Sequence, residues 1–251
     1  MTQTLLDYDA EAGRYDATRG GVPRARAAAD AVLSLVPPGA RTLLDLACGT
    51  GLVTERLNRP GLRVYGADAS AGMARKAHER VPGGVVLADA RRLPIPDASV
   101  DVVSAVWLLH LVPFADAIVA EAARVLRPGG ALIVTVDKDA AHDVGSDVDR
   151  VLGPYRNHER SMDRADRVTA DAAAHGLDPA GETRFTGHGQ GSTPRRVAGN
   201  LRRGHYASWF RGDTATVGAL CAALADLPDQ DRPRDDPEYR LVSYLRRGPR
   251  G

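Results

Sequence analysis

Three aspartates, Asp45, Asp68 and Asp89, stand in or just beyond successive apolar runs, where a carboxylate could balance an ammonium or accept hydrogen bonds from hydroxyl and amine groups. The first lies in Leu43-Leu44-Asp45-Leu46-Ala47-Cys48-Gly49-Thr50-Gly51, whose two glycines, one residue apart, let the backbone bend tightly around a ligand. The second ends Val64-Tyr65-Gly66-Ala67-Asp68, from which a carboxylate can accept from both hydroxyls of a ribose; alternatively, Asp68 or Ser70 caps the helix that follows. Proton transfer would fall to a histidine or a tyrosine. His110 stands just past a fourth run and has the pKa range of a general base, although a histidine there can equally serve by bonding a loop carbonyl. His142, Tyr155 and His158 lie in an irregular stretch beyond a fifth run and are further candidates. Their spacing matches no zinc or iron pattern, so no metal is expected.

The elements that must hold these groups read as alternating strands and helices. Strand-like runs fall at 42–47, 62–67, 84–88, 100–106 and 131–137, with helical patterns at 52–57, 71–80 and 114–126 among them. An earlier helix starts at Pro23 and is stopped by Pro37-Pro38-Gly39, and Leu126-Arg127-Pro128-Gly129-Gly130 reads as a helix stop and turn. Apolar strands separated by helices indicate an α/β fold with a parallel sheet covered on both faces. Beyond Asp137 the regularity drops, and 138–160 reads as a polar insertion. A helix is expected at 163–175, a short strand at 182–187, helices at 193–210 and 213–227, and a closing strand at 239–245. In such sheets ligands sit beyond the carboxyl ends of the strands, where the strand order reverses. Asp45, Ala47, Gly49 and Gly51 should therefore line a ligand, with Asp45 either facing an ammonium or organising the turn. A nicotinamide or flavin site would want a third glycine where Thr54 stands, and the acid at Asp45 also disfavours a pyrophosphate.

The stretch D-x-A-C-G-T-G resembles the first motif of class I S-adenosylmethionine-dependent methyltransferases, and within them the small-molecule group similar to the ubiquinone and menaquinone methyltransferases. The resemblance is specific over 41–137 and looser elsewhere. It implies a Rossmann-like sheet of seven strands in the order 3-2-1-4-5-7-6, the last strand antiparallel, with helices on both faces and a substrate-covering insertion. It also implies one domain over 1–251, made of an N-terminal lid and helix (1–36), a cofactor core (41–137) and substrate-side elements (138–160 and 190–227). The implied cofactor is S-adenosylmethionine, leaving as S-adenosylhomocysteine. Asp68 and Ala69 then take the ribose, and Met73 packs on the adenine or simply in the core. Asp89 and Ala90, in Leu87-Ala88-Asp89-Ala90-Arg91-Arg92-Leu93-Pro94, read the adenine edge. Strand four runs out through Val106 and Trp107, which wall the methionine end, unless Trp107 is core. Tyr8-Asp9-x-x-Ala12-x-x-Tyr15-Asp16 resembles a leader that folds over the cofactor, so Tyr15 is a cofactor contact and, with His110 and His142, a catalytic candidate. The other reading of the leader is a disordered tail.

The acceptor is expected to be a small molecule. No Asp/Asn/Ser-Pro-Pro-aromatic follows strand four, and no pair of glutamates appears there; by the resemblance, these mark nucleic-acid-base and arginine methylation. A net charge of +1 offers no field for nucleic acid or an anionic membrane. Arginines and aromatics interleave from Arg195 to Trp209 and Phe210, as a wall for an acidic or aromatic acceptor or as plain helix surface. Two cysteines make no disulfide framework, and no run of 18 apolar residues occurs, so a soluble cytoplasmic protein is expected. Lysine occurs only at Lys76 and Lys138, an arginine bias that reads as a high-GC coding background. The expected function is methyl transfer to oxygen, nitrogen or carbon of a small molecule in bacterial specialised metabolism, by a monomer or homodimer. The alternatives are a protein or RNA methyltransferase, or a non-catalytic binding module of the same fold.

Overall fold

Strand β1 (Thr42–Leu46) lies in the middle of the sheet, and its side chains show why: Leu44 and Leu46 enter one apolar cluster and Leu43 the other, each almost fully buried. Alternation along a strand puts Asp45 on the Leu43 face. The computed structural model describes residues 7–159, 161–206, 210 and 212–248. Strands β2 (Arg63–Asp68), β3 (Val85–Leu87), β4 (Val100–Ala105), β5 (Leu126–Val136), β6 (Leu177–Thr186) and β7 (Glu238–Arg246) complete a sheet of order β3-β2-β1-β4-β5-β7-β6. β1 to β5 are mutually parallel, and β7 runs antiparallel to both β5 and β6. This is the order and direction expected from the sequence.

The helices, in chain order, are α1 (Tyr8–Glu11), α2 (Tyr15–Thr18), α3 (Gly21–Ser34), α4 (Leu52–Leu57), α5 (Ala71–Arg80), α6 (Ala115–Val125), α7 (Asp147–Leu152), α8 (Ala165–Ala174), α9 (Pro194–Arg202) and α10 (Thr214–Ala225). On one face of the sheet α6 and α8 cover Val103, Leu132 and Val134; on the other, α3 covers Val102 and Ile133. A third apolar cluster stands apart, formed by Val148 and Leu152 of α7, Val197 and Leu201 of α9, and Leu220, Cys221 and Leu224 of α10. Because β6 runs parallel to β5, the ends of β5 and β6 and the start of β7 lie on one edge, with Val136 opposite Arg240 and Thr186 opposite Glu238. α7 is inserted after β5, and α9 and α10 between β6 and β7. These helices therefore cap the carboxyl edge of the sheet.

Four local expectations shift. The 126–130 segment is strand with an irregular register between Val100 and Val102, where Gly129 takes φ 80° and a Cβ on Gly130 would come within 2.7 Å of the Asp101 carbonyl. β6 begins five residues before the expected 182, its turn-like Asp178-Pro179 absorbed by an irregularity between Pro179 and Gly181 on the edge strand. The helix expected over 193–210 stops at Arg202, because Gly204, at φ 71°, lets the chain turn back so that the Gly204 amide donates to the Leu201 carbonyl. The polar insertion contains α7, which Ser146 and Asp149 start by capping each other's backbone amides.

Candidate active site

The carboxyl edge of the sheet is where the backbone is bent hardest. Five described residues other than glycine have positive φ; of these, Ala47 and Asp137 directly follow β1 and β5, and Trp107 stands two residues beyond β4. Left-handed backbone at a residue with a Cβ costs energy and gathers at functional sites. In register, Asp45 lies between Gly66 of β2 and Ser104 of β4. Its carboxylate accepts from Thr54 Oγ1 and Ser104 Oγ, both at 2.7 Å, and burial pushes its pKa up to about 6. Asp45 thus sits beneath the glycine turn and braces it against α4 and β4. Asp68 ties the turn from the other side, accepting from the amides of Gly49 and Ser70, each at 2.8 Å. Burial holds its carboxyl above the usual range, and the two amides pull it back. The approach of the two loops depends on Gly66, where a Cβ would lie 2.8 Å from Cys48 Sγ. Gly51, at φ 78°, opens α4 against α5, and a Cβ there would lie 2.9 Å from the Ala77 Cα.

The leader packs onto this turn. Asp9 accepts from Ser70 Oγ and the Gly72 amide at the start of α5. Asp16 accepts from Thr50 Oγ1 and pairs with Arg80 at 2.7 Å, while Arg80 also donates to the Thr50 carbonyl. The rings of Tyr8 and Tyr15 lie 6.3 Å apart, and Arg19 stands over Tyr15. Burial raises the Tyr8 phenol to about 12, helped by Tyr15 and by the charge of Asp68.

Beyond β4 and β5, two short helical turns carry His110 (Leu109–Leu111) and His142 (Ala140–His142). His142 Nε2 lies 3.2 Å from the Tyr239 hydroxyl. Lys138 pairs with Asp139 at 2.9 Å beside them. Burial, reinforced by the Lys138 charge, pushes both imidazoles down to about 3, so both are neutral around pH 7. Arg24 of α3 lies over the Trp107 ring, its Cζ 3.4 Å from the centroid, and Trp107 meets Phe185 and Tyr239 edge-on. Of the three catalytic candidates, His142 is tied to this cluster through Tyr239, whereas Tyr15 packs in the leader against Tyr8 and Arg19.

Residues 44–134, which contain all three strand-end acids and most of β1 to β5, match the family model for a methyltransferase domain. Over that stretch the chain is similar to a methyltransferase domain. Over 133 residues it is 38% identical to a ubiquinone/menaquinone biosynthesis C-methyltransferase of Desulfotalea psychrophila (49% of this chain, 53% of that one) and 40% identical to a demethylmenaquinone methyltransferase of Mycolicibacterium paratuberculosis (51% and 56%). The chain thus spans about half the length of the curated relatives it matches. Among solved structures, the [4+2]-cyclase SpnF is similar over 98% of this chain and 95% of that one, with a TM-score of 0.61 and 22% identity, a likeness of fold.

The cofactor of this methyltransferase class is S-adenosylmethionine, and the strand ends suit it unequally. Each Asp68 oxygen spends one lone pair on an amide and keeps another, which leaves acceptors for two ribose hydroxyls. Ala69 beside it is exposed. Asp89 is turned to a different partner: both its oxygens are held by Arg91, which stacks on Phe114, and this pair lowers its pKa. The pair is half exposed and so weakly held, and an adenine amine at Asp89 would have to replace it. Ala90 is half-buried against the core. Met73 is a correction: at 1% exposure, on the buried side of α5, it is core and offers no surface to an adenine. Val106 is buried likewise, whereas Trp107 is only partly buried and its Nε1 is enclosed without a partner. Cys48 is buried, and burial raises its thiol, so it is no nucleophile. On the cap, Arg195 pairs with Asp231 and Arg203 donates to Asn200, so these cations serve the helix surface; Trp209 lies outside the described residues.

Sequence reasoning missed Arg24, Lys138, Asp139 and Tyr239. Only Lys138 carried a usable signal, as one of two lysines in an arginine-rich chain and the second residue after β5.

Proposed function

We propose that the chain transfers a methyl group from S-adenosylmethionine to an oxygen, nitrogen or carbon of a small molecule held between the glycine turn and the helical cap, as an enzyme of bacterial specialised metabolism. One observation supports this reading: the glycine turn, the leader and the helical cap all converge on one edge of the sheet, where His142 meets Tyr239 and Arg24 lies over Trp107. When bound, the cofactor supplies an electrophilic methyl group on a sulfonium. The residues of this chain supply position. Asp68 would hold the ribose, Ala47 and Gly49 would set the backbone of the turn, and Trp107 would wall the methionine end. Alignment of two reactants at near-attack distance can remove roughly 7–11 kcal/mol of a barrier without any covalent intermediate. His110 and His142 are neutral, and as buried bases of low strength they suit an acceptor that needs little help to ionise. The family match ends at residue 134, before the cap, so the acceptor is chosen by the part of the chain that the shared domain does not include.

The test is calorimetry with S-adenosylmethionine and S-adenosylhomocysteine, with NADH as control, followed by transfer of a labelled methyl group to a panel of phenols, quinols and amines and to lysate macromolecules. Binding of the two sulfur nucleotides alone, with label entering a small molecule, supports the proposal. Label entering protein or RNA, or binding without turnover on any acceptor, favours the macromolecular or the binding-module reading instead.

A further inference from the structure

We infer that Arg24, held between the leader, Trp107 and the start of β7, is a built receptor for a single anionic group, a carboxylate or an ionised hydroxyl. A guanidinium is always charged, and enclosing one without an acid is unfavourable unless something completes it. Arg24 is only 7% exposed, and among the described residues no carboxylate lies within ion-pair distance of it. The chain treats its other enclosed arginines differently: Arg156 is held by Asp143 and Asp149, and Arg234 by Asp147. The supports of Arg24 are neutral. Its Nη1 donates to the Arg19 carbonyl at 3.0 Å, the guanidinium lies over Trp107, and the Tyr239 side chain, its ring 5.8 Å away, is a further neutral hydrogen-bond partner. Stacking leaves the edge of the guanidinium for in-plane contacts, and Nε on that edge is buried with no partner. An anionic oxygen would complete this unpartnered N–H.

The inference rests on the methyltransferase reading only in naming where the anion comes from. Two sources share the chemistry: the amino-acid end of the cofactor and an acidic group on the acceptor. Calorimetry on the full chain separates them, comparing wild type with Arg24→Gln and Arg24→Lys and using four probes: S-adenosylhomocysteine, methylthioadenosine (which lacks the amino-acid end), benzoate and its neutral isostere benzamide. If the cofactor supplies the anion, Arg24→Gln weakens S-adenosylhomocysteine at least 10-fold, leaves methylthioadenosine within twofold, and Arg24→Lys recovers part of the loss. If the acceptor supplies it, S-adenosylhomocysteine is unchanged, while wild type binds benzoate and not benzamide and Arg24→Gln abolishes that preference. Equal weakening of both nucleosides, or no discrimination of benzoate from benzamide together with unchanged S-adenosylhomocysteine, overturns the inference. Should Arg24→Gln not fold, the wild-type preference for benzoate and the Arg24→Lys titrations still decide it. Failure of wild type to bind either nucleoside would defeat the methyltransferase reading alone, because the benzoate pair reads Arg24 independently.

Discussion

Replacing Asp45 with asparagine should make the variant gain on wild type in stability as pH rises. The Asp45 carboxyl is pushed from 3.8 to about 6 by burial, against the pull of the Thr54 and Ser104 hydroxyls. Between those two values the folded protein keeps a proton that the unfolded chain has released, so this group costs stability as pH increases, and the cost levels off above about 6. The whole displacement corresponds to about 3 kcal/mol. On the order of 1 kcal/mol of it falls between pH 5 and pH 8, because the unfolded carboxyl is already mostly ionised at pH 5. Asparagine does not titrate. It keeps one acceptor and gains a donor, and either hydroxyl can turn to receive that donor, so both contacts at 2.7 Å survive in shape. Urea unfolding of both proteins at pH 5 and pH 8 measures the gap, and titrations common to both cancel in the difference. A gap between wild type and variant that is the same at the two pH values would refute the burial argument. So would a gap that shifts in favour of wild type at pH 8.

Asp68→Ala removes the acceptor of two amides and of the expected ribose hydroxyls, so S-adenosylhomocysteine affinity should fall at least 10-fold by calorimetry; wild-type affinity would remove Asp68 from the site. Asp16→Ala cuts the leader from Thr50 and Arg80 at a partly exposed pair, so stability should fall by less than about 1 kcal/mol. Amide exchange over 8–18 and dissociation of S-adenosylhomocysteine should both accelerate in that variant, and unchanged exchange would show that the contact holds nothing. With both imidazoles near 3, the pH profile of kcat/KM from 5.5 to 8 should show no histidine limb. His110→Ala should lower turnover without changing the profile's shape, and a limb near 6.5 that disappears in this variant would contradict the buried, neutral assignment.

The central sheet was legible because its signals are local. Helices at 52–57 and 71–80 have the expected limits, and β1, β2 and β4 each agree to within one or two residues, since continuous apolar runs and clear stops decide them. Reading failed where tertiary pairing overrode a local stop. Pro128-Gly129-Gly130 looks like a turn in isolation, yet β4 pairs with Leu126 and the irregularity takes up the remainder. Pro179 is tolerated for the same reason, on an edge strand. α7 was legible in principle, because Ser146-Asp147-Val148-Asp149 has the spacing of a reciprocal cap, but charge at 138–160 hid a helix whose few apolar residues face only the cap.

The site divides along the same line. Asp68 and the glycine turn are consecutive with their strands, so the sequence places them at the carboxyl edge before any packing is known. Met73 was misassigned because a position in the first turn of a helix says which loop it follows, not which side it faces; the side is decided by β2 and β3 packing beneath α5. The polar cluster beyond β4 and β5 has no local signature at all. Arg24 comes from a helix that precedes the first strand, Trp107 from the end of β4, His142 from the turn after β5 and Tyr239 from the start of β7. Only the order 4-5-7 and the antiparallel return of β7 bring these four segments to one place. The glycine turn is therefore readable from a family motif, whereas this cluster depends on contacts between distant segments, and Arg24, enclosed with no acid within ion-pair distance among the described residues, is the residue through which it can be probed first.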